Sequence, residues 1–186
     1  MVKNHITKDY EFVLFCNNDI KILNNVVYGM LKIFKDNPRT GTVGCRLHFE
    51  DNTVQHDGIV TFVDKNQSFR ISHLNLRSYY SYTLHTKKLV GSTGALLMIR
   101  KSVFEKCDFF NENYASCFED VELNLKCILL GYDNYYDGSL VSYHYESQTR
   151  NEDPEIRNKM TQDYQKNLLP FVVKHLDKLK NYIIVR

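Results

Sequence analysis

Phe12-Val-Leu-Phe-Cys-Asn-Asn-Asp19 is an unbroken apolar run that stops at two amides and a carboxylate. Short continuous apolar runs read as strands covered on both faces, as in a parallel sheet. Ligands of open α/β sheets gather just beyond the carboxyl ends of such strands, which is where Asn17, Asn18 and Asp19 fall. A carboxylate flanked by amide oxygens suits a hard divalent cation such as Mg2+ or Mn2+. The alternative is that Asn-Asn-Asp is turn chemistry and nothing more.

Downstream, Leu23, Val26, Val27, Met30, Leu31 and Phe34 recur at helical spacing, and Asp36-Asn37-Pro38 ends the helix. Val43 to Phe49 reads as the next strand, so strand, helix and strand predict a parallel βαβ unit. Thr53 to Val60 continues as extended chain, and residues 64–88 are polar and poorly periodic, which predicts a long loop. Val90-Gly-Ser-Thr-Gly94 leads into a strand from Ala95 to Ile99. Ser102 with Glu105, and Ser116 with Glu119, have capping-box spacing for two further helices. The second of these carries Val121, Leu125, Ile128 and Leu129 on one face and stops at Gly131. Short strands are predicted from Tyr132 to Tyr136 and from Leu140 to Tyr145, and a helical segment from Pro154 that Pro170 interrupts. Tyr182 to Val185 reads as a small strand or a docking tail.

The 186 residues suggest one domain, and 43% hydrophobic content supplies a core. A net charge of +2 gives no electrostatic case for nucleic acid. The cysteines at 16, 45, 107, 117 and 127 are odd in number and form no C-x-x-C pair. Reduced, mostly buried thiols in a cytoplasmic protein are expected. No apolar run has the length of a membrane span, and Met-Val-Lys-Asn-His is not a signal peptide.

Three acids, Glu119, Asp120 and Glu122, crowd one helix start. They complement the helix dipole, or Asp120 is a general base at a cleft mouth. His144 is either a packed residue at a strand end or a neutral imidazole ligand beside a carboxylate. Gly91 and Gly94 flank Ser92-Thr93 without the Lys of a P-loop, and fit close approach of a substrate to the backbone.

Taken in order, these pieces resemble a family 2 glycosyltransferase of the GT-A fold, rhamnosyltransferase-like, over residues 11 to about 150. Phe15-Cys-Asn-Asn-Asp19 is similar to the strand-end DXD-type motif. Val43-Gly-Cys-Arg-Leu47 with Asp51-Asn-Thr-Val-Gln-His-Asp-Gly58 is similar to the family's "DGT-x-QH-x-G" stretch. Thr93-Gly-Ala resembles the acceptor-side "TGA" segment, Phe118-Glu-Asp-Val-Glu-Leu123 the "ED-x-D/E-L" motif that supplies the base, and Val141-Ser-Tyr-His144 the late histidine of the metal site.

The resemblance implies a Rossmann-related mixed sheet flanked by helices, with a core over 1–150 and a helical tail over 151–186. It also implies a nucleotide-sugar donor held through Asn17, Asn18 and Asp19, with Asp19 and His144 on Mn2+ or Mg2+. Asp120, with Glu119 beside it, would deprotonate a glycan or lipid-linked hydroxyl acceptor in an inverting displacement. Thr93, Gly94 and Arg46 would contact that acceptor; His56 belongs to the pattern without a chemical role. The reaction implied is hexosyl transfer in polysaccharide, O-antigen or cell-wall glycan synthesis, in the cytoplasm or at the inner face of the membrane, with peripheral contact there. The family's N-terminal nucleotide-binding units have no counterpart in this sequence, so the fold is expected to be N-terminally truncated. That leaves an exposed sheet edge open to self-association. The competing reading is an inactive remnant that binds a glycan or a protein through residues 64–88. A two-metal phosphoesterase is disfavoured by too few His and Asp clusters.

Overall fold

The computed structural model describes residues 10–66, 68–81, 85–145 and 153–185. In chain order the strands and helices are β1 (Phe12–Cys16), β2 (Ile20–Ile22), α1 (Val26–Asp36), β3 (Thr40–His48), β4 (Val54–His56), β5 (Ile59–Val63), β6 (Phe69–His73) and β7 (Thr86–Leu89). They continue with β8 (Leu96–Arg100), α2 (Lys101–Lys106), α3 (Glu119–Leu129), β9 (Asp133–His144), α4 (Pro154–Asp163), α5 (Leu169–Lys174), α6 (Leu176–Leu179) and β10 (Ile183–Val185).

The main sheet runs β1-β8-β3-β9-β2, with β4 paired to β3 and β7 to β9; a second sheet runs β10-β5-β6. The first strand is not the buried parallel strand the sequence predicts. It is an edge strand, antiparallel to β8, half-buried along its length and exposed at Cys16. The apolar run has a different cause: both faces are covered although one edge is open. Phe12 and Leu14 join the core under α1, while Val13 and Phe15 pack on the opposite face with Val103 and Phe104 of α2. Because β8 is antiparallel to both β1 and β3, those two strands run parallel with β8 between them. The predicted βαβ unit is therefore present, but its strands are not neighbours. β9 lies parallel to β3 on the other side.

The predicted helix at 23–34 is α1, which buries Val26, Met30, Ile33 and Phe34 and leaves Val27 and Leu31 exposed. α3 is covered on more than one face. Val121, Leu125 and Ile128 pack against Ile59, Phe69 and the C-terminal helices, while Leu123 and Cys127 pack against Leu97 and Ile99 of β8. Gly131 at φ +82° ends the helix as predicted. Neither capping box forms. The residue before α2 is Arg100 and the residue before α3 is Phe118, and neither helix start has a side-chain cap. The amides of Ala115, Ser116 and Cys117 instead donate to the carboxylate of Asp163, at 2.9, 2.7 and 3.1 Å. That partner lies too far along the chain for a local pattern to reveal it.

Residues 64–88 are not one loop, since they contain β6 and β7. The two short strands predicted over 132–145 are one strand, β9. Its register against β3 jumps between Cys45↔Asp137 and Arg46↔Val141, and this bulge is what divides the sequence pattern. Asp153 caps α4 by accepting the Glu155 amide at 2.8 Å. Pro170 does not end the helical segment: a π-helical turn over Tyr164–Leu168 precedes it, and the Leu169 amide donates to the Tyr164 carbonyl. Such widened turns accommodate the bond a proline cannot make. Leu168, Val172 and Leu179 bring the tail onto α3, and β10 adds in parallel to β5.

All five cysteines are free. Cys16 is exposed, against the expectation of burial, because it sits at the end of an edge strand. Burial pushes the Cys45 thiol up to about 12.

Candidate active site

The chain turns sharply after β1. The Asn17 amide donates to the Ala95 carbonyl at 2.9 Å, and Ile20 donates back to the Asn17 carbonyl at 3.3 Å. β2 then pairs with the end of β9, in the register Ile20↔His144, and the Tyr145 amide donates to the Asp19 carbonyl at 3.1 Å. Sheet register thus brings together two side chains 125 positions apart: Asp19 Oδ1 lies 3.1 Å from His144 Nε2. Asn17 Nδ2 is 3.2 Å from the same nitrogen. The imidazole of His144 is buried and fixed from behind by Gln55, whose Oε1 accepts from Nδ1 at 2.7 Å. The Gln55 amide group faces the His144 carbonyl at 3.5 Å, which sets the orientation of that carboxamide. With Gln55 fixing a proton on Nδ1, an unprotonated Nε2 would offer its lone pair toward Asp19.

This arrangement fits a divalent cation. Asp19 Oδ1 is shielded from solvent and, among the described residues, has no hydrogen-bond donor. Two ligands at right angles on an ion with bonds of about 2.1 Å stand about 3.0 Å apart, close to the 3.1 Å between oxygen and nitrogen. Among the described residues, no group of three or more His, Cys, Asp or Glu side chains gathers around a metal position. The remaining positions on an ion would fall to Asn17, water or a bound ligand. Asn18 is an exposed turn residue and does not line the cavity.

Asn17, Gln55 and His144 border a cavity of about 730 Å3, whose other walls include Thr93, Gly94, Glu119 and Asp120. Asp120 is held by two backbone amides: Gly94 donates to Oδ2 and Val121 to Oδ1, both at 2.7 Å. A Cβ on Gly94 would stand 3.2 Å from the Asp120 Cβ, so the small residue permits this close approach. Asp120 accepts backbone amides at a helix N-terminus and lines the cavity. Glu122 does neither. It is buried and accepts from Tyr114 at 2.7 Å and from Asn111, with Lys126 at 2.9 Å.

Arg46 is not at the cavity. It is buried, with its Nε 3.3 Å from Asp57 and its Nη2 donating to Ser81 at 2.7 Å. The cavity walls that residue-level reasoning left without a role are His56, His73 and an aromatic set including Phe49, Phe110 and Phe118. Phe118 is held at φ +76°, a costly conformation for a bulky residue.

A mixed sheet flanked by helices in this order is the GT-A-like fold of glycosyltransferases. The crystal structure of GalNAc-T7 with UDP, GalNAc and Mn2+ superposes with a TM-score of 0.52 at 9% sequence identity, covering 73% of this chain and 27% of that one. In sequence, the chain is 30% identical over 146 residues to the O-antigen biosynthesis protein RfbC of Myxococcus xanthus, covering 77% of this chain and 12% of that protein. It is 26% identical over 172 residues to the uncharacterized protein y4gI of Sinorhizobium fredii, covering 84% of this chain and 18% of that protein. The chain thus spans less than a fifth of the length of either relative. No protein-family model matches it. No helix among the described residues is long and apolar enough to cross a membrane.

Proposed function

We propose that this chain is the metal and acceptor half of an inverting, family 2-type glycosyltransferase that moves a hexosyl group from a nucleotide sugar to a hydroxyl acceptor in surface polysaccharide synthesis. The observation that carries the reading is the pairing of Asp19 with a tautomer-fixed His144, whose ring lines the cavity that Asp120 also lines. The likeness to an O-antigen biosynthesis protein and the GT-A-like fold support it.

Asp19 and His144 would hold Mn2+ or Mg2+, with Asn17 beside them. A divalent ion there supplies Lewis-acid stabilisation of charge on a departing diphosphate. Asp120 takes the acceptor proton. Its two amide contacts fix the carboxylate before substrate arrives, so little reorganisation is left to the reaction. Thr93 and Gly94 bring backbone to the same wall, and Glu119 adds a second carboxylate for orienting the acceptor. The acceptor is a glycan or a lipid-linked sugar, and the reaction belongs to the cytoplasm or the inner membrane face.

Calorimetric titration of Mn2+ into wild type and Asp19→Ala, with and without UDP, GDP or dTDP, tests the metal assignment. Binding strengthened by one nucleotide and lost in Asp19→Ala is expected; binding that persists in Asp19→Ala removes that assignment. In a transfer assay, Asp120→Asn lowers kcat by about 10²–10⁴-fold with Mn2+ affinity retained. A variant that still transfers at the wild-type rate would assign the base elsewhere.

A further inference from the structure

His56 is almost fully buried at the end of β4 and makes no part of the metal pair, yet it stands one peptide away from the contact that holds Asp120. The Thr93 amide donates to His56 Nε2 at 3.3 Å, and the next amide, Gly94, donates to Asp120 Oδ2 at 2.7 Å. The other side of the same segment is clamped by α3 itself. Asn124 Nδ2 donates to the Ser92 carbonyl and to the Asp120 carbonyl, each at 2.8 Å. A Cβ on Gly91 would meet the Asn124 side chain at 2.1 Å, so the loop lies directly on the helix there.

We infer that His56 is a positioning residue for Asp120, acting through the Thr93–Gly94 backbone that links the two side chains. This rests on the reading of Asp120 as the base. Accepting the Thr93 amide requires an unprotonated Nε2, so the ring hydrogen of neutral His56 sits on Nδ1 and points to His73 Nδ1 at 3.3 Å. His73 Nδ1 is then the acceptor of that hydrogen, so its 3.2 Å separation from the Gln55 carbonyl is not a hydrogen bond in this tautomer, and its ring meets that of His56 edge-on at 4.7 Å. Burial, then the neighbouring His73, hold His56 well below its ordinary value, so the ring stays neutral near pH 7, and the Thr93 contact selects the tautomer. If the Thr93 amide loses its partner, the segment can rotate, and the Gly94 amide then leaves the carboxylate. An error of about 1 Å in the placement of a catalytic group can cost about 100-fold in rate.

The test compares His56→Gln, whose carboxamide oxygen can occupy the Nε2 position, with His56→Phe, which keeps the ring and removes the acceptor. In amide-resolved NMR, His56→Phe is expected to speed Thr93 exchange by about tenfold or more. It should also move the Gly94 amide shift toward its position in Asp120→Asn, while His56→Gln retains both. In transfer, His56→Phe lowers kcat by about 10- to 100-fold at unchanged donor KM, and His56→Gln restores it. Unchanged Thr93 and Gly94 amides in His56→Phe, or altered amides with full kcat, would overturn the inference. If His56→Phe does not fold, His56→Asn, with the oxygen one methylene short, is compared with His56→Gln by the same criteria. Mn2+ affinity is expected to stay constant throughout. Absence of transfer in wild type would count against the transferase reading alone, because the amide measurements decide the His56 linkage without turnover.

Discussion

Asp57 has no exposed surface, and four neighbours surround its carboxylate. Burial acts to raise its pKa, but donors from Ser81 (2.5 Å), Tyr136 and Asn75, together with Arg46, more than offset this and hold it below the ordinary carboxylate range. Removing one partner from a buried ion pair leaves a charge without compensation. Arg46→Ala should therefore destabilise the fold by about 3–5 kcal/mol, measured by urea unfolding, whereas a role confined to acceptor binding would leave stability intact and raise KM. His56 gives a pH signature. Its folded value lies well below 6.5, so as pH falls through that point the unfolded chain gains a proton that the folded chain refuses. The stability contribution is complete above about 6.5 and declines below it. Thermal melts of wild type between pH 7 and 5 should show this slope, and His56→Gln should flatten it.

At the scale of elements, α4 holds the loop that leads into α3. The carboxylate of Asp163 is buried and accepts three consecutive amides, from Ala115 to Cys117, directly before Phe118 and the acids of α3. Asp163→Ala strands those donors and should cost about 2–4 kcal/mol, read as a lower urea midpoint at unchanged slope. The sign with pH is opposite to that of a raised group. Burial lifts the Asp163 pKa, but the three amides and Ser116 bring it below the ordinary value. Its contribution is present above about 3.9 and is lost as acid protonates the folded state. None of this is visible in local sequence. Ser116 and Glu119 have the spacing of a capping box, yet the cap is replaced by a carboxylate 47 positions away from Ser116. By contrast β1, α1, β8 and α3 are legible, because each carries a dense apolar pattern set by the layers it touches. β6 and β7 are not, because β7 is largely exposed and β6 only partly covered, so neither needs an apolar alternation.

At the scale of the whole molecule, the cavity is assembled from segments far apart in the chain: Asn17, Gln55 and His56, Thr93 and Gly94, Asp120 and His144. Their chemistry can be read from residue types, but their convergence depends on strand order and on the β2–β9 register. Among the described residues, β1 has β8 on one side and no strand on the other. An open strand edge is a template for pairing. Sedimentation velocity on the isolated chain should show concentration-dependent dimers, and a single monomeric species at the highest concentration reached would refute that. The C-terminal strand has a mechanical consequence of its own. β10 pairs with β5, β5 pairs with β6, and β6 carries Ile71, Ser72 and His73 on the cavity wall, while Met160 of α4 lies on the same wall. Force applied through a tether at the chain's C-terminus would reach β10 before the seven-stranded sheet. In an optical trap, the first rupture should be this short zipper of three residue pairs, and the cavity should distort while β1, β2 and β9 are still intact. β10 would then act as a tension-sensitive fuse for a cavity that it supports through β5 and β6.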